Sequence, residues 1–134
     1  MKNLTQKQIT EYIEKLRQDR NYHGFLTDAS FPKDMSQKRL SQLVRQHQKH
    51  GFDDTELWNL DTTLAQFILP RLKRFKRIQH GYPSDFKSAA AWRKKIDSFI
   101  WAFEFDQYSG TAKQHEKARA AIIEFGKYFN QLWD

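Results

Sequence analysis

The chain has 134 residues, and 23 Lys and Arg against 16 Asp and Glu give a formal net charge of +7. Its 11 Phe, 5 Tyr and 4 Trp, beside only 5 Gly and 3 Pro, argue against a disordered chain or a loop-rich β-sandwich. The lack of cysteine excludes a disulfide scaffold, a thiol nucleophile and a cysteine zinc site. Apolar runs are too short to span a bilayer and no signal peptide is apparent, so we expect one cytoplasmic domain, residues 1–134, with no membrane partner.

The first half of the chain predicts two amphipathic helices separated by a loop. Thr5 and Gln8 are spaced as a capping box ahead of a stripe of apolar residues with helical spacing. Residues 21–32 are rich in turn formers and predict the loop. Ser36 is placed to cap the second helix, and Gly51 to end it.

The second half predicts a short helical turn and then three longer helices, at about 62–79, 85–105 and 111–133, with Ser84 or Asp85 as the cap of the second. Pro70 falls inside the first of these helices and predicts a kink or a break, because proline lacks the backbone N–H and clashes with the preceding turn. The helix at 85–105 is apolar on more than one face, which indicates a central position or a subunit interface. The sequence therefore predicts an all-α fold, a compact bundle of about five helices.

The basic charge is concentrated in one stretch. Residues 62–84 contain no Asp or Glu, and without five basic residues of this stretch the chain carries 18 basic against 16 acidic residues. These five are Arg71, Lys73, Arg74, Lys76 and Arg77. Arginines on a rigid helix suit phosphate, which they bind through two parallel hydrogen bonds, so we predict an anion-binding segment. The alternatives are a solvated helix face and a structural role in which these residues form salt bridges with Glu104 and Asp106. A second, smaller basic cluster is Arg93–Lys95.

Three aromatic residues near the basic stretch are candidates for stacking on a nucleobase, namely Trp58, Tyr82 and Trp92. Each could instead lie in the core, although the position of Tyr82 in a Gly-Tyr-Pro turn favours exposure. The predicted ligand-binding residues are therefore Arg71, Lys73, Arg74, Arg77, Trp58, Tyr82 and Trp92.

The sequence indicates neither a metal site nor catalysis. His47 and His50 have the spacing of two ligands on a helix, but no third ligand follows at a diagnostic spacing, and histidine is favourable at a helix C-terminus. We interpret the acidic cluster between Asp53 and Asp61 as helix caps. A nucleophile elbow, a P-loop and a dinucleotide fingerprint are all missing. We therefore predict no enzyme, no catalytic residue, no metal and no cofactor.

One pattern covers about half of the chain. Residues Trp58–Pro83 read WNLDTTLAQFILPRLKRFKRIQHGYP, and a tryptophan and an Ala-Phe-Glu ending follow between Trp92 and Glu104. This arrangement resembles a group of small bacteriophage-encoded proteins that share W-x-L-D-x-T-x-A-x-F-x-x-P-R-L-K-x-F, then G-x-P, W and A-F-E. The terminal GKYFNQLWD also fits that group. The chain differs after the G-x-P turn, where SDFKSAAAWRKK makes its surface more basic than in group members.

The resemblance implies a phage origin and a place in the host cell cytoplasm. Small accessory phage proteins often counter bacterial immunity, either by sequestering a nucleotide signal or by blocking a defence effector. Arg71, Lys73 and Trp58 combine the cationic and aromatic groups that a nucleotide sponge needs. We therefore predict a homo-oligomeric anti-defence protein that binds a phosphate-bearing nucleotide without catalysis. A protein-binding inhibitor of a CRISPR nuclease or another bacterial defence protein, and a basic nucleic-acid-binding accessory protein, are the alternatives.

Overall fold

The computed structural model describes residues 2–18 and 34–133, whose regular elements are all helices. This confirms the all-α class. The predicted loop at 21–32 lies outside the described residues. Contacts divide the chain into two compact units, Met1–Leu64 and Ala65–Asp134, which we call unit 1 and unit 2 and describe separately. The interpretation of residues 1–134 as one domain stays a prediction.

Unit 1 contains α1 (Gln6–Gln18), α2 (Gln37–His50) and α3 (Thr55–Trp58). The predicted capping box is confirmed at the start of α1. The Thr5 N–H donates to the Gln8 side chain at 2.9 Å, and the Gln8 N–H donates to the Thr5 hydroxyl at 3.2 Å. These bonds satisfy backbone groups that the first turn of a helix would otherwise leave open.

The core of unit 1 joins α1 to α2. It consists of Ile9 from α1 and of Leu40, Leu43 and Val44 from α2, none more than 7% exposed. The α2 members follow a helical spacing that His47 continues by one more turn, and His47 is only 3% exposed. The apolar face of α2 thus carries a histidine into the interior of the unit.

Helix α2 begins and ends as predicted. The Ser36 hydroxyl accepts from the Arg39 N–H at 3.2 Å, which caps the first turn. Gly51 adopts φ 79°, a left-handed conformation, and its N–H donates to the His47 carbonyl at 2.8 Å. This turn reverses the chain immediately before Asp53, so the start of α3 follows directly on the last turn of α2.

The remaining elements are α4 (Leu60–Ile78), which runs across the division between the units, and in unit 2 α5 (Ala89–Glu104), α6 (Ala112–Lys127) and a 3₁₀ turn (Phe129–Gln131). Pro70 lies inside α4, which continues as one helix. The predicted break is therefore absent, and the predicted kink is not confirmed. Proline lacks one backbone hydrogen bond and crowds the preceding turn, yet the residues on either side of Pro70 are helical.

Helix α5 begins later than predicted. Its cap is Ser88, whose hydroxyl accepts from the Ala91 N–H at 3.1 Å, and not Ser84 or Asp85. The residues before it form a turn in which the Phe86 N–H donates to the Pro83 carbonyl at 3.0 Å. The turn places the ring of Phe86 against the core, and this packing delays the helix.

The core of unit 2 is aromatic. Its buried members are Leu72 from α4, Trp92, Ile96 and Phe99 from α5, and Tyr128 after α6. The Trp92 ring contacts Phe99 and Tyr128 edge to face, with centroids 6.3 and 5.8 Å apart. Helix α5 supplies three of the five residues, which agrees with its predicted central position. Burial of Leu72 also fixes the rotation of α4, and with it the direction of the neighbouring basic side chains.

Candidate functional site

The basic stretch of α4 forms one wall of a groove in unit 2, and α5 forms the other. The groove has a volume of about 530 Å³ and is lined by Lys73, Lys76, Arg77, Arg93, Asp97 and Ile100. Four of these six side chains are basic and one is acidic. Helix α4 contributes the first three of them, because Leu72 on the adjacent face is turned into the core.

Two ion pairs link the walls of the groove. Lys73 Nζ lies 2.6 Å from Glu104 Oε1, as the alternative interpretation of the sequence suggested, and Lys76 Nζ lies 2.6 Å from Asp97 Oδ1. Because the later residue of α4 pairs with the earlier residue of α5, the two helices run antiparallel. The four side chains remain between 35% and 54% exposed, so each pair contributes at most about 1 kcal/mol to stability.

Two arginines face the groove from opposite walls. Arg77 comes from the last turn of α4 and Arg93 from the second turn of α5. Both are exposed, and among the described residues the ion pairs of the groove are made by Lys73 and Lys76 rather than by these two arginines. Their guanidinium groups are therefore available to a ligand.

The structure places the other two predicted arginines elsewhere on α4. Arg71 turns back along the helix, where its Nη1 donates to the Phe67 carbonyl at 2.8 Å and its guanidinium lies 3.8 Å from the centroid of the Phe67 ring. Arg74 is exposed and does not line the groove. Of the four basic residues predicted to hold phosphate, Lys73 and Arg77 are the two that the structure brings together.

The three predicted stacking residues occupy different environments. Trp92 is 1% exposed within the core of unit 2, so the prediction that it stacks on a ligand is wrong. Its spacing with Ile96 and Phe99 places it on the buried face of α5. Tyr82 is 48% exposed in unit 2, and Trp58 is 57% exposed in unit 1.

Four groove residues were not among the predicted ligand-binding residues, namely Lys76, Arg93, Asp97 and Ile100, although Lys76 belongs to the predicted anion-binding segment. The clustering of basic residues at Arg93–Lys95 was the signal that could have found Arg93. Its assignment to the groove also needed the antiparallel pairing of α4 with α5, which the sequence does not encode locally.

A second group of ionisable side chains is buried in unit 1. His47 Nε2 lies 3.1 Å from Asp53 Oδ2 and 3.3 Å from Glu56 Oε2. The three side chains are 0%, 0% and 4% exposed. The sequence pairs His47 with His50 by spacing and places the acidic residues at helix starts, so this combination is not apparent from it. His50 is exposed, and its ring centroid lies 5.8 Å from that of Phe52.

Local hydrogen bonds hold both carboxylates in place. Asp53 Oδ1 accepts from the Thr55 N–H at 2.8 Å and from the Thr55 hydroxyl at 2.5 Å. Glu56 Oε2 accepts from the Asp53 N–H at 2.8 Å. Burial alone would raise the pKa of Asp53, but the neighbouring His47 and the bonds from Thr55 outweigh burial and lower that pKa below its ordinary value. Burial dominates at Glu56 and raises its pKa.

Comparisons with protein-family models, with curated proteins and with solved structures found no match. Within the residues that the structure describes, no helix is both long enough and apolar enough to cross a lipid bilayer.

Proposed function

We propose that this protein binds a phosphate-bearing nucleotide in the groove between α4 and α5 and retains it without chemical change. The observation that carries the proposal is the convergence of Arg77 and Arg93 from opposite walls, beside Lys73 and Lys76. The groove volume, about 530 Å³, falls among those of small-molecule sites, roughly 300–1,000 Å³.

The charges of the groove suit a phosphate group better than a neutral ligand. Each guanidinium can donate two parallel hydrogen bonds to phosphate oxygens, and each lysine adds a positive charge close by. Asp97 and Glu104 compete for the lysines, but these exposed pairs are worth at most about 1 kcal/mol each. A phosphate can therefore replace either carboxylate at small cost.

Binding without turnover fits the chemistry of the lining residues. They supply positive charge, one apolar contact from Ile100 and one carboxylate, Asp97, that is paired with Lys76. Tyr82 is the predicted stacking residue that is exposed in the same unit. With the resemblance to phage proteins, this arrangement supports a role in the host cytoplasm as a sponge for a nucleotide immune signal.

Isothermal titration calorimetry with cyclic and linear nucleotides at low salt tests the proposal. Arg77→Gln and Arg93→Gln should each weaken binding by at least about tenfold, because each removes a charge-assisted bond to phosphate worth about 1.5–3 kcal/mol. Arg119→Gln is the matched control, since this exposed arginine of α6 lies outside the groove. A lack of heat with every nucleotide, or equal losses in all three variants, would contradict the proposal.

The exposed apolar residues of unit 1 favour a second candidate function, inhibition of a bacterial defence protein by direct contact. Five large side chains within 13 positions are between 46% and 57% exposed, namely Phe52, Leu57, Trp58, Leu60 and Leu64. Such exposure is typical of surfaces that bind another protein. Co-purification of a stable complex from infected cells, with no response to nucleotides, would favour this function over the first.

We propose that the protein forms a homo-oligomer, because unit 2 also exposes large apolar side chains. Ile123, Phe129 and Trp133 are between 61% and 73% exposed along and after α6. Contacts between copies commonly bury apolar residues of this kind. Size-exclusion chromatography with light scattering measures the mass directly, and a monomer at micromolar concentration would contradict the oligomer.

A further inference from the structure

We infer that His47, Asp53 and Glu56 form a binding site for one divalent transition-metal ion, with zinc as the best-fitting metal. The three side chains offer one imidazole nitrogen and two carboxylate oxygens, all within 4.8 Å of one another and all buried. The site lies in unit 1 and is separate from the groove proposed for the nucleotide.

The distances among the ligand atoms suit a shared metal ion. Zinc binds imidazole nitrogen and carboxylate oxygen at about 2.0–2.2 Å. Neighbouring ligands at that radius lie roughly 3.0 Å apart in octahedral geometry and roughly 3.4 Å apart in tetrahedral geometry. The nitrogen of His47 is 3.1 Å from the Asp53 oxygen and 3.3 Å from the Glu56 oxygen. Both separations fall within that interval, and the third, between the two carboxylate oxygens, is no more than 4.8 Å.

Charge balance also favours a divalent ion. When both carboxylates are ionised beside a neutral imidazole, the site carries two negative charges, which a divalent cation balances. Because burial raises the pKa of Glu56, a proton on this carboxyl takes up part of that charge in the absence of an ion, and metal binding would displace it. Among the described residues, Asp53 and Glu56 form ion pairs with His47, and neither carboxylate pairs with a lysine or an arginine. Because a buried charge is costly unless it is paired, a cation with two charges suits the site once both carboxylates are ionised.

The hydrogen bonds around Asp53 leave one oxygen directed at the proposed ion. Thr55 holds Oδ1 through its N–H and its hydroxyl. Oδ2 is buried and accepts no hydrogen bond of good geometry from the described residues, although His47 Nε2 lies 3.1 Å away. Outer partners of this kind fix a metal ligand in its binding orientation.

The chemistry of the donors selects the metal and its role. Imidazole with carboxylate suits zinc and neighbouring transition metals, whereas magnesium and calcium prefer all-oxygen sites. The burial of the three donors closes the site to a substrate, so the ion would have a structural role, with a fourth ligand still to be supplied in tetrahedral geometry. The ion would join the last turn of α2 to the start of α3, and it would be acquired as unit 1 folds.

Zinc binding to the full chain tests the inference. The wild-type protein is treated with a chelator, then titrated with zinc against a chromophoric competitor, and its metal content is measured by elemental analysis. We expect one zinc per chain and a higher melting temperature, with no shift from magnesium. Asp53→Asn, which removes a ligand charge at nearly constant volume, should weaken zinc binding more than about 100-fold, since changes in outer partners alone cost 10–100-fold.

His50→Gln is the control, because this exposed histidine lies on the same helix and should leave zinc binding unchanged. If Asp53→Asn does not fold, the wild-type stoichiometry and the visible absorption of the cobalt-substituted wild type still decide the question. Less than one zinc per chain, or loss of zinc in His50→Gln but not in Asp53→Asn, would overturn the inference. Arg77→Gln should leave the zinc stoichiometry intact, so failure of nucleotide binding would not affect this result.

Discussion

Trp92 and Tyr82 show how burial separates two residues of the same chemical class. Trp92 is 1% exposed and meets three aromatic rings in the core, whereas Tyr82 is 48% exposed. We expect Trp92→Ala to lower the free energy of unfolding by about 3–5 kcal/mol, because it leaves a large cavity. Tyr82→Ala should change that free energy by no more than about 0.5 kcal/mol. Urea denaturation measures both.

Substitutions at the same two residues should have the opposite ranking in their effect on nucleotide affinity, with Tyr82 as the more sensitive position. If Tyr82 stacks on the base, Tyr82→Ala weakens binding by about 1–3 kcal/mol, the usual contribution of an aromatic platform. Trp92→Phe, a milder change that keeps the core aromatic, should leave the affinity unchanged in calorimetry. A drop in affinity with Trp92→Phe, at unchanged stability, would contradict the assignment of Trp92 to the core alone.

Three helix ends followed their local sequence signals. Thr5 with Gln8, Ser36 and Gly51 act as the sequence predicted, because a cap depends on residues within one turn of it. The predicted start of α5 was wrong, because the packing of Phe86 against Trp92 and Tyr128 outweighed the local preference of Ser84 for a cap.

Alanine substitutions at two glycines should change the free energy of unfolding in opposite directions. Gly51 ends α2 with φ 79°, and no described residue lies within 4 Å of an added Cβ, so Gly51→Ala should cost about 1–2 kcal/mol through backbone strain. Gly126 lies within α6 and also has open space around its Cα, so Gly126→Ala should stabilise by about 0.5–1 kcal/mol. Thermal or urea unfolding compares them. Changes of the same sign in both variants would contradict this account.

The amino-acid composition predicts a basic protein, but it does not predict which basic residues lie close together in the fold. Half of the groove comes from α5, and its contribution depends on the antiparallel pairing that Lys73 and Lys76 reveal. The buried group in unit 1 depends on the turn at Gly51, which brings His47 close to Asp53. In the sequence, His47 is explained as a histidine near a helix C-terminus and Asp53 as a helix cap, so neither pattern predicts their contact. A site built from two helices depends on how each helix is rotated about its axis toward the other. Local sequence patterns do not predict this relative orientation.

With a net charge of +7, the protein could attract an anionic ligand through its overall charge rather than through the groove. Charge reversal at two different places distinguishes these two causes of binding. The double variant Arg77→Glu, Arg93→Glu reverses two charges in the groove. Lys113→Glu, Arg119→Glu reverses two exposed charges on α6, and both doubles carry the same net charge. We expect the first to abolish nucleotide binding and the second to change it less than about threefold at 0.15 M salt, because exposed charges are screened beyond about 8 Å.

Duplex DNA and single-stranded RNA provide the contrasting ligands in the same titrations. If the protein binds nucleic acid through its overall charge, both double variants should lose affinity to a similar extent, and the logarithm of the affinity should fall steeply with the logarithm of salt concentration. A mononucleotide held in the groove contacts few phosphates, so its affinity should show a shallow salt dependence and respond to the groove variant alone. Equal losses in both doubles, together with a steep slope, would replace the nucleotide site with a general nucleic-acid surface.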